Sequence, residues 1–187
     1  LTKHNADAEF NEAKDIQKII KDNLGKEIYS KYFIFPEKQC EPDTLTQTDL
    51  TNFNKKCTNL TKKDITAENI NDNLNTVGII ELTNGGSDLE SYIERKNTKV
   101  SLIQFNKAVV NLLTNAVVPM NKLNVIHFDL KAGNIVIDDD FQMRIIDWGL
   151  SFINKDKVHV ARDARNRPFQ YNLPFSGVIF NSEIIHQ

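Results

Sequence analysis

Four polar residues stand at spacings that could carry phosphoryl-transfer chemistry. Asp129, Lys131 and Asn134 form the pattern D-x-K-x-x-N, and Asp147 begins a D-x-G pattern thirteen positions after Asn134. A carboxylate can accept the proton of a hydroxyl group, whereas a second carboxylate and an amide oxygen are hard ligands that suit Mg²⁺. The pattern therefore predicts a candidate base, Asp129, and two candidate Mg²⁺ ligands, Asn134 and Asp147, for phosphate transfer from ATP.

The apolar residues around this pattern predict the elements that position it. Two short apolar runs, 135–137 and 143–146, predict a hairpin closed by an acidic turn. A long amphipathic helix is predicted from Ser101, and its apolar face comprises Leu102, Phe105, Val109, Leu112, Leu113, Ala116 and Val117. The end of this helix leads the chain into the loop that carries the first three polar residues.

The first part of the chain predicts one helix and one strand before a long polar stretch. Apolar residues at helical spacing predict a helix over 5–20, and Gly25 is the expected stop. Aromatic and β-branched residues over 29–35, ended by Pro36, predict a strand. The polar stretch 37–75 predicts a short helix or two inside a long excursion.

A further strand is predicted at 77–82, and it breaks at the Gly-containing turn 83–86. Ser87 or Asp88 then caps the following helix. Together these patterns predict a mixed α+β chain in which the polar residues follow a long helix.

The composition limits the classes of protein to consider. The chain has 187 residues, of which 40% are hydrophobic and 26% charged, as is ordinary for a globular protein. A formal net charge of -2 gives no general attraction for nucleic acid or anionic membranes, and no apolar run could span a bilayer. Cys40 and Cys57 lack metal-ligand spacing and a disulfide-rich context, so a reducing, cytoplasmic compartment is expected.

The polar pattern resembles a known family. The run H-F-D-L-K-A-G-N at 127–134, followed by D-W-G at 147–149, resembles the catalytic and metal-binding loops of eukaryotic-type protein kinases, the Ser/Thr kinases in particular. Phe128 and Trp148 stand where the family usually has Arg and Phe. These departures make the chain similar to the divergent kinases of large DNA viruses.

The resemblance implies an α+β, kinase-like fold of two lobes, truncated at both ends. A partial N-lobe is expected over 1–82 and a partial C-lobe over 83–187. The family's Gly-rich phosphate loop and lysine-bearing strand are missing, and they are expected upstream of Leu1. On the first helix, Glu12 is the expected partner of that ATP-anchoring lysine, and Glu9 is the alternative.

The resemblance also implies a role for each polar residue. Asp129 would position or deprotonate the hydroxyl group of a protein or peptide substrate, and Lys131 would stabilise charge on the γ-phosphate of ATP. Asn134 and Asp147 would hold Mg²⁺, which shares phosphate oxygens instead of sitting in a protein cage.

A hinge between the lobes is expected at the turn after the 77–82 strand. In the resembled family, the backbone of Glu81 and Thr83 would bond the adenine edge. Ser87 or Asp88 would reach the ribose, and Val136 would form part of the apolar floor beneath the adenine.

The residues after the D-x-G pattern depart further from the family. Phe128 replaces the arginine that gathers a phosphorylated activation loop, so activation is expected not to depend on loop phosphorylation. Arg162, Arg165 and Arg167 could still hold a phosphate or an acidic peptide. The stretch 168–175 resembles the substrate-docking end of the activation segment.

Two other functions fit parts of the same pattern. A small-molecule kinase of the aminoglycoside or choline phosphotransferase type would also explain Gly133 and Trp148, whereas Lys131 and the stretch 168–175 favour a protein kinase. A nucleotide-binding pseudokinase would explain the missing phosphate grip. All four polar residues are of the types that phosphoryl transfer requires, which argues against a pseudokinase.

Overall fold

A computed structural model of the chain describes residues 1–95, 102–156 and 165. The helices are α1 (Lys3–Tyr32), α2 (Phe53–Lys56), α3 (Thr58–Thr61), α4 (Leu89–Arg95), α5 (Leu102–Leu112) and α6 (Val118–Lys122). The strands are β1 (Lys38–Cys40), β2 (Ile79–Glu81), β3 (Ser87–Asp88), β4 (Val125–Ile126), β5 (Ile135–Ile137), β6 (Met143–Ile145) and β7 (Phe152–Ile153). Tight 3₁₀ turns occupy Ile70–Asp72, Leu74–Thr76 and Ala132–Asn134, and a π turn occupies Leu113–Val117. No helix in the described ranges is both long enough and apolar enough to cross a membrane.

The chain divides into two compact units. The first unit comprises residues 1–12 and 36–83, and the second comprises 13–35 together with the residues from 84 onward. These units group segments that are distant in sequence. The expected division into kinase lobes after residue 82 therefore remains a prediction.

The first unit is built on the antiparallel pair β1–β2, in which Lys38 lies opposite Glu81. The polar stretch between these strands forms α2, α3 and two 3₁₀ turns, which confirms the expected short helices. Their apolar side chains bury one another in a small core made of Phe53, Leu60, Ile65, Ile70 and Val77. The strand predicted at 77–82 is confirmed as β2.

The second unit contains the antiparallel sheet β3–β5–β6. Ile135 lies opposite Ile145 and Ile137 opposite Met143, which confirms the predicted hairpin. All but Ile135 of these four side chains are buried, because they face the core on which α1, α4 and α5 also pack. The sheet thus holds the stretch of chain that follows β6 close to the core of the unit.

Asp138 closes the β5–β6 turn. Its carboxylate accepts the backbone N–H of Asp140 at 3.1 Å and of Gln142 at 2.9 Å, and Arg144 Nη1 at 2.9 Å. Burial alone would raise the pKa of this carboxyl group. The bonds from Gln142 and Arg144 outweigh the burial and lower the pKa of Asp138 below its usual value.

The strand predicted at 29–35 is wrong over its first half, because α1 continues to Tyr32. Gly25, with φ 80° and ψ 160°, is non-helical and separates two helices within α1, which confirms the expected stop; the second of these helices runs on to Tyr32. Ile28 and Tyr32 lie one helical turn apart and pack on the same core, so helical spacing outweighs the strand preference of the aromatic residues. From Phe33 the chain is extended and forms a parallel bridge with β6.

The long helix predicted from Ser101 is present from Leu102, since Ser101 lies outside the described residues. Leu102 is 73% exposed and Leu113 44% exposed, so the prediction that they face the core is wrong. The other predicted positions are confirmed, because Leu112 and Ala116 are buried and Phe105, Val109 and Val117 are partly buried against the same core. Ala108, and Met120 in α6, extend this buried face beyond the prediction.

Gly25 and Gly86 both have positive φ, and substituting each of them tests how much the fold depends on it. A Cβ at Gly86 (φ 104°) would stand 2.1 Å from the carbonyl oxygen of Ile137, whereas a Cβ at Gly25 would have no atom within 4 Å. We expect Gly25→Ala to cost about 1–3 kcal/mol through backbone strain alone. Gly86→Ala should cost about 2 kcal/mol more, because β5 must also shift. Urea titrations that return equal unfolding free energies for both variants would contradict this account.

Candidate active site

His127 fixes the loop that follows β4. Its ring is 2% exposed; Nδ1 accepts the backbone N–H of Asp129 at 3.4 Å, and Nε2 lies 3.0 Å from the carbonyl oxygen of Ile146. A ring that accepts at Nδ1 and donates at Nε2 is neutral imidazole. Burial lowers the pKa of His127 below its usual value and favours the same neutral form. The histidine is therefore a structural part of the loop.

Asp129 is a buried carboxylate held by two donors. Its side chain receives Lys131 Nζ at 3.1 and 2.8 Å, and Asn134 Nδ2 at 2.8 Å. Asn134 Nδ2 also donates to the backbone carbonyl of Asp129 at 2.9 Å. A buried charge is tolerated only when it is paired and hydrogen-bonded, and both conditions are met here. The carboxylate is consequently fixed in one orientation.

The amide of Asn134 is oriented by the same bonds. Because its nitrogen donates twice to Asp129, the oxygen Oδ1 is the atom left to bind a cation. Asp147 has φ 64° and an exposed side chain, and its Oδ1 accepts the N–H of Gly149 at 3.4 Å. An amide oxygen and a carboxylate are the kinds of donor that Mg²⁺ takes together with phosphate oxygens, and the role of these two residues as ligands remains a prediction.

The described part of the chain offers no self-sufficient metal cage. Within it, no group of three or more His, Cys, Asp or Glu side chains could hold a metal ion. A cation at Asn134 and Asp147 would therefore need further oxygens from water or a nucleotide. That requirement is the usual one for Mg²⁺.

Trp148 packs the stretch of chain that follows β6 against the core of the second unit. The indole is 1% exposed, stacks on Phe35 with ring centroids 4.2 Å apart, and lies 4.9 Å from the ring of His127. Its Nε1 donates to the carbonyl oxygen of Ile34 at 2.8 Å. Trp148 therefore serves core packing.

The hinge residues Glu81 and Thr83 belong to the first unit. The carbonyl oxygen of Glu81 accepts the N–H of Glu37 at 2.9 Å, and the hydroxyl of Thr83 donates to the Glu37 carboxylate. A carbonyl oxygen has two lone pairs, so the bond to Glu37 leaves Glu81 able to accept a second donor. Adenine contacts at these residues remain a prediction.

The other nucleotide-binding candidates are distributed over both units. In the second unit, Val136 is buried in β5, and Asp88 accepts the N–H of Ser91 at 2.8 Å and so caps α4. Bonds from Ser91 lower the pKa of Asp88 below its usual value. Ser87 pairs with β5 beside it. In the first unit, Glu12 is exposed on α1, and its pairing with a lysine remains a prediction.

Glu9, the alternative to Glu12, is half-buried within the first unit. It lines an apolar cavity of about 470 Å³ together with Leu1, Gly78 and Leu82. A carboxylate in apolar surroundings is a better candidate for pairing with a cation than an exposed one. The choice between Glu9 and Glu12 as the partner of the lysine therefore remains a prediction.

The residues after Asp147 are described only in part. Phe128, at φ 62°, packs edge-on against Phe152 of β7 with ring centroids 5.4 Å apart. Arg165 is exposed, whereas Arg162, Arg167 and the stretch 168–175 lie outside the described residues. The predictions for phosphate capture and substrate docking therefore stay predictions.

Two residues near the site carried no expectation from the sequence. Ser151 is buried, and its hydroxyl donates to the carbonyl oxygen of His127 at 3.1 Å. Its signal was a polar residue inside the apolar stretch 150–153. Glu90, on α4, lies next to Gly133 of the catalytic loop, and only the tertiary structure brings these two together.

Comparison with known proteins agrees with this geometry. The family model for the protein kinase domain matches residues 50–167, which is more than half of the chain. The chain belongs to the protein kinase domain family. Its α+β fold of helices and antiparallel sheets is that of a kinase domain.

Individual relatives match over shorter lengths. A protein kinase and PP2C-like domain-containing protein of Oryza sativa subsp. japonica is 33% identical over 69 residues, 34% of this chain. The hormonally up-regulated neu tumor-associated kinase of Homo sapiens, like that of Pan troglodytes, is 32% identical over 73 residues, 39% of this chain. Each match spans about 10% of the relative's length.

The buried neutral His127 predicts a pH dependence of stability. The unfolded chain gains a proton at this residue near pH 6.5, but the folded chain resists it, so stability is present above pH 6.5 and falls on acidification. The loss should reach at most about 1.4 kcal/mol per pH unit below that value. His127→Gln should flatten the profile between about pH 7.5 and about pH 5.5 in urea titrations. The exposed His4, changed to Gln, is the control, and a slope unchanged by His127→Gln would contradict the assignment.

Proposed function

We propose that this kinase-family chain carries the catalytic centre for transfer of the γ-phosphoryl group of ATP to a Ser or Thr hydroxyl of a protein substrate. The observation that carries the proposal is the buried Asp129 carboxylate, held by both Lys131 and Asn134. A carboxylate fixed in this way can orient an incoming hydroxyl group without reorganising. The match to the protein kinase domain supports a protein acceptor over a small-molecule one.

In this proposal, each side chain of the site has a separate role in the reaction. The substrate hydroxyl oxygen forms a bond to the γ-phosphorus, the bond from that phosphorus to the β–γ bridging oxygen breaks, and the hydroxyl proton passes to Asp129. Lys131, whose side chain is 42% exposed, places its positive charge beside the carboxylate and next to solvent. It can therefore meet negative charge that develops on the phosphoryl group.

Asn134 and Asp147 supply oxygens for Mg²⁺ in this proposal. Bound there, Mg²⁺ would neutralise charge on the phosphate groups of ATP. The orientation of the Asn134 amide supports this role, because both of its N–H bonds are directed at Asp129. The exposed carboxylate of Asp147 is accessible to a nucleotide from solvent.

The remaining partners belong to the same proposal. We infer that the backbone of Glu81 and Thr83 binds the adenine edge, that Val136 lies beneath it, and that Ser87 or Asp88 bonds the ribose. The free thiols of Cys40 and Cys57 support a cytoplasmic location. A net charge of -2 supports a protein substrate and not a nucleic acid.

The first test compares Asp129→Asn with the wild type in the full-length protein. With γ-labelled ATP and Mg²⁺, we expect label in Ser or Thr of added proteins, and a loss of about 10²–10⁴-fold in rate for the variant. Asp139→Asn, in the exposed β5–β6 turn, is the matched control and should keep the wild-type rate.

Three outcomes would reject the proposal in different ways. Label that enters only small alcohols, offered in the same assay, would make the protein a small-molecule kinase. Nucleotide binding without any label would make it a pseudokinase. Equal rates for Asp129→Asn and the wild type would remove Asp129 from the reaction.

A second test separates the metal ligands from the loop packing. Asp147→Asn should weaken Mg²⁺-dependent ATP binding by about tenfold or more, because a charged ligand is replaced by a neutral one. Phe128→Arg should leave that binding nearly unchanged, since Phe128 packs on Phe152 and not at the carboxylates. Isothermal titration with and without Mg²⁺ measures both, and equal losses would count against Asp147 as a ligand.

A further inference from the structure

Ser151 lies where the two loops of the candidate site meet. The strand before one loop, β4, pairs with the strand after the other, β7, and Ile126 lies opposite Phe152. The next residues toward the loops are His127 on β4's side and Ser151 on β7's side. Here the hydroxyl of Ser151, a residue that is 5% exposed, donates to the carbonyl oxygen of His127 at 3.1 Å. A side-chain bond thus extends the contact between the two strands by one residue.

The backbone and the side chain of Ser151 bond different loops. The backbone N–H donates to the carbonyl oxygen of Trp148 at 3.0 Å and closes the turn that follows Asp147. The hydroxyl donates instead to the loop that carries Asp129, through the carbonyl of His127. An alanine at position 151 would leave that carbonyl buried and without this donor, which is unfavourable.

Asp147 is linked to the other loop on both of its sides. Before it, Ile146 donates its N–H to the carbonyl oxygen of Asn134 at 3.0 Å, and its own carbonyl oxygen lies 3.0 Å from Nε2 of His127. After it, the hydroxyl of Ser151 reaches the same histidine. Asp147 has φ 64°, a left-handed conformation that a residue other than glycine keeps only when its surroundings enforce it. Loss of the link on one side would therefore let Asp147 shift relative to the other loop.

We propose that Ser151 is a positioning residue, which fixes Asp147 relative to Asp129 through its bond to the carbonyl of His127. The proposal rests on the proposed function, in which Asp147 holds Mg²⁺ and Asp129 receives the proton of the substrate hydroxyl. A misplacement of about 1 Å can slow a reaction by about 10²-fold. A shift of part of that distance would lower kcat by about tenfold, and ATP binding would change less because both loops keep their other bonds.

The test compares variants of Ser151 in the full-length protein with γ-labelled ATP, Mg²⁺ and added proteins. Ser151→Ala and Ser151→Val should lower kcat by about tenfold and change KM for ATP by less than about twofold. Ser151→Thr, which has the shape of valine but keeps the hydroxyl, should restore kcat to within about threefold of wild type. Ser30→Ala removes an exposed hydroxyl that also donates to a backbone carbonyl, and this matched control should behave as wild type.

A purely structural role for Ser151 would give a different result. Urea titrations measure the stability of each variant, and kcat is expressed per ATP-binding site so that unfolded protein does not count. Equal kcat for wild type and Ser151→Ala on that basis would overturn the positioning role, whatever their unfolding free energies. Equal kcat for the Ser151→Thr and Ser151→Val variants would overturn it as well, because the hydroxyl would then have no effect.

Measurements without phosphate transfer separate failure of this inference from failure of the proposed function. In protein free of nucleotide and metal, the N–H of Asp129 should exchange with solvent faster in Ser151→Val than in Ser151→Thr. Titration calorimetry should show that Ser151→Val needs more Mg²⁺ than Ser151→Thr for the same ATP affinity. A wild type that transfers no label would overturn the kinase proposal, whereas equal exchange and equal Mg²⁺ requirement in these two variants would overturn the role of Ser151.

Discussion

The position of the candidate site residues depends on the burial of one indole ring. Trp148 stacks on Phe35, lies against His127 and donates its N–H to the carbonyl oxygen of Ile34. A buried aromatic ring stabilises through its area, but its N–H must also find an acceptor, and few arrangements satisfy both conditions. Asp147 directly precedes this buried ring. Its backbone is therefore held in place, although its own side chain is exposed.

The same ring constrains the loop that carries Asp129. His127 contacts Trp148, and its two ring nitrogens bond the N–H of Asp129 and the carbonyl of Ile146. The backbone of Asp129 is therefore held by bonds that do not involve its own side chain. Lys131 compensates the buried charge of that side chain, so apolar packing, neutral hydrogen bonds and one ion pair all contribute to the site.

The sequence alone was sufficient for the parts that depend on local spacing. The pattern of Asp129, Asn134 and Asp147, the alternating hairpin between them and the cap at Asp88 all lie within short stretches of chain. Each has a chemical or periodic signal that survives without knowledge of the tertiary structure. The similarity to viral kinases has no such local signal beyond Phe128 and Trp148, and it stays a prediction.

What the sequence could not supply depends on distant contacts. The helical state of Tyr32 follows from a core assembled from several elements, and aromatic residues by themselves favour a strand. The contact between Phe128 and Phe152 is of the same kind. It joins the loop that carries Asp129 to β7, at the position where the resembled family usually has an arginine. Because an apolar contact needs no added charge, this junction can form without phosphorylation, and salt should affect it little.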